Sequence, residues 1–404
     1  ALRVADSALI LVDAVSGAEV GTEIALSYCD TFNLPRMVVI NKMNRDNANY
    51  RKALESLSEI SDKRLVLVQL PWGEKAEFKG VIDLLTMKAF PGDGKTAQAI
   101  PAELADDAES ARMELIEAAA DLRVECQHLP NGVRVADCGV KAVGGLQAGL
   151  TLAEICLADL AEVGLAPGRA DLWPGPAVQV STDQPVAACM ASQYAGWQIT
   201  SGGYFAMGSG PMRAACGREE LFASIGFRES VTRAVGVLEA AKLPPAEVGE
   251  RIAEDCGVAP SELTLLVART ASMAGTVQVV ARTVETCLHK LHEVGFDLAC
   301  VQSGYGLAPL PPVAADDLAG IGRTNDAVLY GGEVTLWVRA EDAQLQEIGP
   351  GIPSCSSPDH GEPFGKIFKR YNHDFYRIDP LLFSPAQVTL VNLNSGRVHC
   401  FGQL

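Results

Sequence analysis

A change in composition and in hydrophobic patterning near residue 120 is the sequence feature that most constrains the fold. Ten of the eleven cysteines lie beyond this point, where an acidic stretch with helical spacing, residues 102–120, gives way to short strand-like runs. A chain of 404 residues is also too long for one ordinary domain. We therefore predict two units, residues 1–120 and 121–404, that join near Leu122.

The first unit has the alternating strand and helix pattern of a parallel sheet. Apolar runs at residues 8–12, 37–40 and 65–68 are typical of buried parallel strands. The spacing between them predicts helices at residues 19–31 and 48–59. In such βαβ units, ligands bind at the carboxyl ends of the strands.

The second unit mixes strands and helices without a repeat of fixed period. Strand-like runs occupy residues 133–136, 177–180, 263–267 and 328–338. Helical stretches occupy residues 152–163, 185–195, 245–256 and 277–294. Pro245 suits the first turn of the third of these helices, and Gly257 suits its end. The mixture predicts an α+β fold.

Composition narrows the classes of function. The net charge is −17 without any basic run, which argues against a nucleic-acid-binding surface. No apolar stretch is long enough to span a bilayer, and no signal peptide is visible. The cysteines have no C-x-x-C or zinc-type spacing. We therefore expect reduced, mostly buried thiols in the cytoplasm, no metal, and no nucleic-acid or membrane partner.

The segment Asn41-Lys42-Met43-Asn44 follows the second predicted strand. It resembles the N-K-x-D guanine-recognition motif of translation GTPases. The text around it, including LPRMVVINKMNRDNANY and FKGVIDLLTMKAF, resembles elongation factor G. In that motif a carboxylate accepts two hydrogen bonds from guanine while the lysine stem lies over the base. Asn44 stands where the carboxylate belongs, so we expect a degenerate guanine motif.

The phosphate-binding loop G-x-x-x-x-G-K-[ST] does not occur anywhere in this sequence. Without that loop there is no cradle for nucleotide phosphates or for magnesium. We interpret the first unit as a partial translation-GTPase segment, the remnant of a fusion, and expect no GTP hydrolysis from it.

A charged stripe marks the predicted helix 277–294. Arg282, Glu285, His289 and His292 follow one another at i, i+3, i+7 and i+10, which places them along one helical face. Spacing alone leaves two interpretations of Arg282 and Glu285: an exposed ion pair, or two charges directed into one pocket. The two histidines similarly fit a solvated face or, less well, a metal site that lacks a third ligand.

A family resemblance favours the pocket. From about Arg123 to the end, the sequence resembles methenyltetrahydromethanopterin cyclohydrolases, in stretches such as NGVRVADCGVKAVGGLQAGLTLAEICLADL, TDQPVAACMASQYAGW, FAMGSGPMRA and AGTVQVVARTVETCLHKLHEVGF. The family normally carries a further helical segment before this region, where the elongation-factor-like sequence stands here. The resemblance implies hydrolysis of 5,10-methenyltetrahydromethanopterin to the 5-formyl form. It also implies a role in one-carbon metabolism, in methane production or formaldehyde oxidation, and a homotrimer.

The same resemblance implies an A-R-x-V-E segment at the active site, matched here by Arg282 and Glu285. The methenyl bridge is a delocalised cation whose carbon is attacked by water. Glu285 would favour that cation and take the proton from water as general base. Arg282 would orient Glu285 and lower its pKa. The reaction needs no cofactor, because the pterin itself is the substrate carrier.

The loop at residues 208–211 is the candidate site for the anionic tail of the substrate. Backbone N–H groups at Ser209 and Gly210 fit an anion-binding nest, with Arg213 close in sequence, but the same residues also fit a simple tight turn.

Two further segments are candidates for the pterin pocket. Gln193 and Tyr194, with Trp197, fit a pocket wall or core packing after a helix. Residues 323–326 fit the pocket rim or a cap before the next strand. Neither choice is decided by the residues alone.

These inferences combine into one expected architecture. We expect an α+β chain: a partial GTPase-type βαβ segment, followed by a two-subdomain α/β cyclohydrolase body with a cleft. Two rival functions remain at this point, a guanine-nucleotide-binding translation factor and an inactive fusion of the two parts.

Overall fold

The computed structural model describes residue 5 and residues 7–32, 34–61, 63–92, 94, 96–120, 123–169 and 171–404. The chain divides into two compact units, residues 1–120 and 121–404. Leu122, near which the junction was predicted, lies outside the described residues. No helix among the described residues is both long enough and apolar enough to cross a membrane.

The elements of unit 1 follow one another in the order β1 (Ala8–Asp13), α1 (Val20–Thr31), β2 (Arg36–Asn41), α2 (Tyr50–Ile60), β3 (Gln69–Trp72), β4 (Gly80–Asp83), β5 (Lys88–Pro91) and α3 (Ala105–Ala120). Strands β1 and β2 are parallel, as the βαβ pattern predicted. Strands β3, β4 and β5 form a separate antiparallel sheet. Buried Ala108 and Ala111 of α3 share a hydrophobic cluster with Ile82 of β4 and with Leu84, which follows that strand.

Two predictions for unit 1 are wrong. Residues 65–68 do not form a third parallel strand, because Leu65 and Leu67 pack into two different hydrophobic clusters. The first two strands are not buried on both faces either. Val12 is 2% exposed, whereas Leu9 is 61% exposed, so the apolar run of β1 is covered on one side only.

Unit 2 begins with β6 (Glu125–His128), β7 (Arg134–Gly139), α4 (Leu146–Cys156), β8 (Glu162–Pro167), β9 (Pro176–Thr182), a π-helix (Val186–Gln193), β10 (Trp197–Ser201), β11 (Tyr204–Ser209), α5 (Met212–Cys216), α6 (Leu221–Ile225) and β12 (Ala234–Glu239). It continues with α7 (Ala246–Cys256), β13 (Leu263–Ala268), α8 (Met273–Val280), α9 (Thr283–Glu293), β14 (Val301–Pro309), α10 (Asp317–Gly331), β15 (Glu333–Val338), α11 (Asp342–Ile348), α12 (Phe364–Arg370), β16 (Gln387–Asn392) and β17 (Val398–Gly402).

These strands form two six-stranded mixed sheets, in the orders β10-β11-β12-β13-β7-β6 and β17-β16-β15-β14-β9-β8. Strands β12, β13 and β7 run parallel, with Glu239 opposite Ala268 at the carboxyl ends of β12 and β13. The result is a mixed α and β body, as the sequence predicted.

Three predicted boundaries in unit 2 are wrong. Helix α4 begins and ends earlier than the predicted residues 152–163. It ends early because Ala158 and Asp159 adopt left-handed backbone conformations that an α-helix cannot continue through. The first residues of the predicted strand 328–338 belong to α10, and only β15 is extended. Pro245 is the residue before α7 rather than part of its first turn, although Gly257 ends that helix in the left-handed conformation as expected.

The predicted helix 277–294 is two helices. Helix α8 ends in a tight turn in which Arg282 N donates to Val279 O at 3.1 Å, and α9 starts directly afterwards. Arg282 is therefore the N-cap residue of α9, and Glu285 lies in its first turn. This break separates the two side chains from the straight helical face that their spacing suggested.

Helix α9 is held in place by close packing against β14. Its inner side chains Val284, Leu288 and Leu291 are fully buried, and burying a side chain of this size stabilises a fold by about 1.5–3 kcal/mol. A Cβ atom at Gly304 or Gly306 of β14 would lie within 3 Å of Val284 side-chain atoms. Two glycines thus let α9 approach the sheet, and this approach fixes the position of Glu285.

Candidate active site

A cavity of about 940 Å³ lies in unit 2. Its wall includes residues at the carboxyl ends of β12 and β13, the outer faces of α9 and α10, strands β10 and β11, and the segment 373–383. Cavities of this size and mixed polarity are typical of small-molecule sites. Both Arg282 and Glu285 are among the lining residues.

Glu285 is buried in the cavity wall, with 5% of its surface exposed. Among the described residues, no hydrogen bond or ion pair holds its carboxylate. Burial raises the pKa of Glu285 to about 7, against an opposing effect of the Arg282 and Arg213 guanidinium groups. At neutral pH the carboxyl group is therefore divided between its acid and base forms.

Arg282 is also buried, and the hydrogen bonds of its guanidinium group go to residues other than Glu285. It donates to the backbone oxygen of Gln193 and, at 3.1 Å, to the Ser209 hydroxyl oxygen. A weaker contact joins it to Cys156 Sγ at 3.8 Å. The alternative of an exposed ion pair between Arg282 and Glu285 is thus wrong, because both side chains are buried and neither holds the other.

The expected pKa of Glu285 also needs correction. We expected the nearby arginine to lower this pKa below its usual value. The arginine does act in that direction, but the cost of burying the carboxylate is larger and the net change is upward.

The two histidines of α9 have different surroundings. His289 lines the cavity and stacks on the Tyr194 ring, with 5.1 Å between ring centroids. Burial lowers its pKa, and its Nε2 atom lies 3.6 Å from a Glu293 carboxylate oxygen. His292 is not part of the cavity wall. No group of three or more metal-ligating side chains is found in the part of the chain that the structure describes.

Of Gln193, Tyr194 and Trp197, only Tyr194 lines the cavity. It directly follows the π-helix, which replaces the α-helix predicted there, and such helices often occur at functional sites. Gln193 lies just behind the wall and donates from Nε2 to Ala281 O at 3.2 Å. Trp197 is partly buried in β10 and does not line the cavity.

Arg213 supports Tyr194 from below. Its side chain is fully buried, pairs with Glu219 at 2.7 Å and donates to the backbone oxygens of Met190 and Ala191. The guanidinium group lies 5.0 Å from the centroid of the Tyr194 ring. Its donors are used inside the protein, so it lies beneath the cavity and does not line it.

In the segment 208–211, Gly208 and Ser209 end β11, and the chain bends at Gly210 before α5 begins. Gly210 has a φ of 89° and donates its N–H to Ser192 O at 2.8 Å. Ser209 is 2% exposed and accepts the hydrogen bond from Arg282. These groups position Arg282, and neither residue lines the cavity.

The segment 323–326 reaches the cavity from the middle of α10. Thr324 and Asn325 line the wall. Arg323 donates to backbone oxygens outside it, and Asp326 accepts from the Phe364 N–H at 2.7 Å. The rim alternative is therefore correct for two of the four residues.

Sequence reasoning missed a polar pair that also lines the cavity. Glu239 ends β12 and Thr270 follows β13, and the Thr270 hydroxyl donates to Glu239 Oε1. Both residues line the cavity. The usable signal was their position, because the carboxyl ends of parallel strands commonly form ligand sites.

The guanine-like motif lies at the carboxyl ends of β1 and β2 in unit 1. Asn41 is the last residue of β2, and Lys42 follows with a φ of 62°. The Lys42 ammonium lies 2.7 Å from Asp13 Oδ2, and Asn44 is exposed. The lysine therefore pairs with a carboxylate of its own unit.

Comparison with known proteins identifies the larger part of the chain. A family model described as Cyclohydrolase (MCH) matches residues 104–404. A methenyltetrahydromethanopterin cyclohydrolase of Rhodopirellula baltica is 51% identical over 68% of this chain and 84% of the relative. Proteins of that name from Methylobacillus flagellatus (46%) and Methanosarcina barkeri (47%) align over 72% of this chain and 89% and 92% of their own lengths.

The body built on two mixed sheets, with a buried carboxyl group in a large cavity, is thus that of a hydrolase acting on a cyclic C–N bond. The chain belongs to the cyclohydrolase (MCH) family. The family resemblance of the sequence is confirmed.

The family model matches a longer part of the chain than the sequence resemblance, which began at about Arg123. It begins at residue 104, so helix α3 falls within the family-matched sequence.

A solved structure from Thermus thermophilus is 33% identical over 30% of this chain and 18% of that chain. Its TM-score is 0.27, a value from which no common fold is inferred. The elongation-factor resemblance of the first unit stays a prediction.

Proposed function

We propose that this chain hydrolyses 5,10-methenyltetrahydromethanopterin to 5-formyltetrahydromethanopterin, and that Glu285 is the general base. One observation carries the proposal. Glu285 is a buried carboxyl group in the wall of a 940 Å³ cavity, without a hydrogen-bonding partner among the described residues and with its pKa raised to about 7.

The raised pKa suits a group that must both take and return a proton near neutral pH. The first step is attack of a water oxygen on the methenyl carbon. A C–O bond forms, and Glu285 accepts one proton of the water. The product of this step is a neutral carbinolamine in which the carbon is still bonded to both nitrogens.

The second step opens the ring. Protonated Glu285 donates to the departing nitrogen, and the bond between this nitrogen and the carbon breaks. The hydroxyl oxygen becomes the formyl oxygen and releases its proton to solvent. The sum is one cation and one water giving one formyl compound and one proton, so no oxidant or metal enters the balance.

The positive charge of the substrate changes the site when it binds. A cation beside Glu285 favours the ionised carboxylate, since the attraction offsets part of the cost of burial. The substrate would thereby help to prepare its own base. Hydrogen bonds to Gln193 and Ser209 hold Arg282 in place. Its positive charge limits the rise in the pKa of Glu285, so protonated Glu285 is still acidic enough to give its proton to the departing nitrogen.

We further propose a cleft between two subdomains, each built on one six-stranded sheet, as the setting of the cavity. The family resemblance supports a cytoplasmic homotrimer in one-carbon metabolism that uses the pterin alone, without a cofactor. Residues 1–103 would take no part in this chemistry. Sedimentation at equilibrium tests the trimer, and a monomeric mass at micromolar concentration would overturn it.

The reaction is tested by mixing the full chain with methenyltetrahydromethanopterin and following the loss of the methenyl absorbance. Turnover proportional to enzyme concentration, with the 5-formyl compound as product, supports the proposal. A rate equal to that with heat-denatured chain would overturn it.

A further inference from the structure

Five residues with a side-chain carboxyl group line the cavity, and the partners of these carboxyl groups differ. They are Glu239, Glu285, Glu293, Asp317 and Asp374. Asp317 is ion-paired with Arg269 at 3.1 Å and also accepts the Ala271 N–H at 3.0 Å. Glu293 lies beside His289 on the same helix. Glu239 differs from both, because the group that donates to its carboxylate is a hydroxyl, which carries no charge in either protonation state of its partner.

Glu239 is oriented by a single hydroxyl group. Thr270 is 3% exposed, and its Oγ1 donates to Glu239 Oε1. Within the described residues, Oε2 of Glu239 has no hydrogen-bonding partner. The Thr270 hydroxyl has one proton to give, so it fixes the carboxylate plane while leaving most of the acceptor capacity open to the cavity.

The pair is rigid because of where it lies. Glu239 is the last residue of β12, and Thr270 comes two residues after the end of β13. The two strands are neighbours in parallel register, with Glu239 opposite Ala268, and Ala240 N continues the ladder by donating to Ala268 O at 3.1 Å. Glu239, at the end of a strand, is positioned more firmly than a side chain on a loop, and Thr270 follows closely after the neighbouring strand.

The substrate class proposed above offers a matching group. The pyrimidine ring of a pterin carries a ring N–H and an exocyclic amino group side by side, and both are donors. A carboxylate only accepts, and its two oxygens fit two parallel donors. An amide, hydroxyl or cationic side chain at this position would place a donor against a donor.

We propose that Glu239, positioned by Thr270, binds the ring N–H and 2-amino edge of the pterin and thereby selects 2-amino-pteridines. This inference rests on the proposed function. It makes Glu239 a binding and specificity residue in the wall of the same cavity as Glu285, and Thr270 a positioning residue. Glu285 then acts at the methenyl carbon while Glu239 holds the far edge of the same ring system.

The test compares Glu239→Gln with Glu293→Gln in the full chain. Both variants remove one negative charge from the cavity wall, so a general weakening of cation binding would affect both. If the carboxylate binds two donors, Glu239→Gln raises KM by about tenfold to hundredfold with kcat within about threefold of wild type. Glu293→Gln changes KM by less than about threefold. Equal changes in the two variants would overturn the inference.

A second measurement guards against misfolding and against failure of the proposed reaction. Tetrahydropterin and tetrahydrolumazine, which carries an oxygen in place of the 2-amino group, are compared as competitive inhibitors. Wild type is expected to bind the pterin more tightly, and Glu239→Gln to lose or reverse this preference, because its amide can donate to the 2-oxygen. Thr270→Val is expected to reduce the preference by a smaller factor. If folded Glu239→Gln keeps the wild-type preference for the pterin, the role of Glu239 is rejected, and turnover by wild type still supports the proposed reaction.

If wild type shows no turnover but its preference for the pterin depends on Glu239, the proposed reaction is rejected and the role of Glu239 stands.

Discussion

Unit 1 and unit 2 each place an acidic side chain near a cation, and the consequences are opposite. In unit 1 the hydrogen bond from Lys42 lowers the pKa of Asp13, which lies at the surface. In unit 2 burial raises the pKa of Glu285 to about 7 although two arginines are close. The residue types are similar, so the difference comes from the solvent and from the partner.

The comparison teaches how a charged pair becomes a reactive site. Asp13 accepts hydrogen bonds from the exposed Lys42 ammonium and from the Val15 N–H, so both of its oxygens are already held by groups of its own unit. Arg282 is kept away from Glu285 by hydrogen bonds to Gln193 and Ser209. The base thus feels a positive field without being neutralised by direct contact, and a buried group without a partner has free energy to gain from a cationic ligand.

The largest expected effect comes from removing the base. Glu285→Gln keeps the shape of the side chain but cannot take a proton from water, so kcat is expected to fall by about 10²- to 10⁴-fold. KM is expected to change by less, since most of the cavity wall is intact. Steady-state kinetics on methenyltetrahydromethanopterin provides the measurement, with Glu293→Gln as control. If Glu285→Gln turns over at the wild-type rate, Glu285 is not the base.

The next effect tests the arginine that holds no ion pair. Arg282→Gln removes a positive charge that lowers the pKa of Glu285, so this pKa is expected to rise further above 7. The acid limb of kcat/KM against pH should then move to higher pH, and kcat near pH 7 should fall by about tenfold to hundredfold.

Arg282→Lys is the matched control, because it retains the charge while losing the fork that reaches Gln193 and Ser209. Its acid limb is expected to stay near that of wild type even if its kcat is reduced. An acid limb that does not move in Arg282→Gln would show that the arginine does not act on the base through charge.

A smaller effect appears in stability. The folded state holds the Glu285 proton more tightly than the unfolded chain does, because the pKa is raised from 4.5 to about 7. Wild type therefore loses stability as pH rises through this window and stays at the lower level above it. Glu285→Gln escapes that loss and is expected to be more stable by about 1–3 kcal/mol above pH 7, with no such gain below pH 4.5.

Urea unfolding of both proteins at several pH values measures this difference. Lower stability of Glu285→Gln at alkaline pH would mean that the carboxylate is stabilised in the fold rather than strained by it.

The fold of unit 2 was predictable in class and less so in its boundaries. Periodicity marked β7, β9 and β13 because each contains a short apolar run whose residues are mostly buried. It did not reveal the break at Arg282, because the residues on both sides have helical spacing and the tight turn depends on tertiary packing. Residues 328–331 are β-branched and apolar in part, and packing overrides that propensity to extend α10.

The candidate site was predictable where the family resemblance named residues. Arg282 and Glu285, which the resemblance named, do line the cavity. Tyr194 lines it as well, but the residues alone had left a pocket wall and core packing open. Ser209, Gly210 and Arg213 were assigned to substrate because small residues and arginine suit anions, yet their donors are used by the protein itself. Glu239 was missed because its partner Thr270 is far away in sequence and meets it only through the pairing of β12 with β13.

The smallest expected effect tests whether the surface pair of unit 1 has any function. Lys42→Ala removes the ammonium that contacts Asp13, and Asn44→Asp restores the aspartate of the guanine motif. Neither change is expected to alter cyclohydrolase turnover or Tm measurably, because both side chains are exposed. Neither variant, nor the wild type, is expected to bind a fluorescent GDP analogue, because the sequence holds no phosphate-binding loop. Saturable binding by wild type that Asn44→Asp tightens and Lys42→Ala abolishes would contradict this expectation. Lys42 and Asn44 would then belong to a nucleotide site. The contrast between the two units would fail, because an ion pair at the surface would bind a ligand just as the buried carboxyl group of unit 2 is proposed to do.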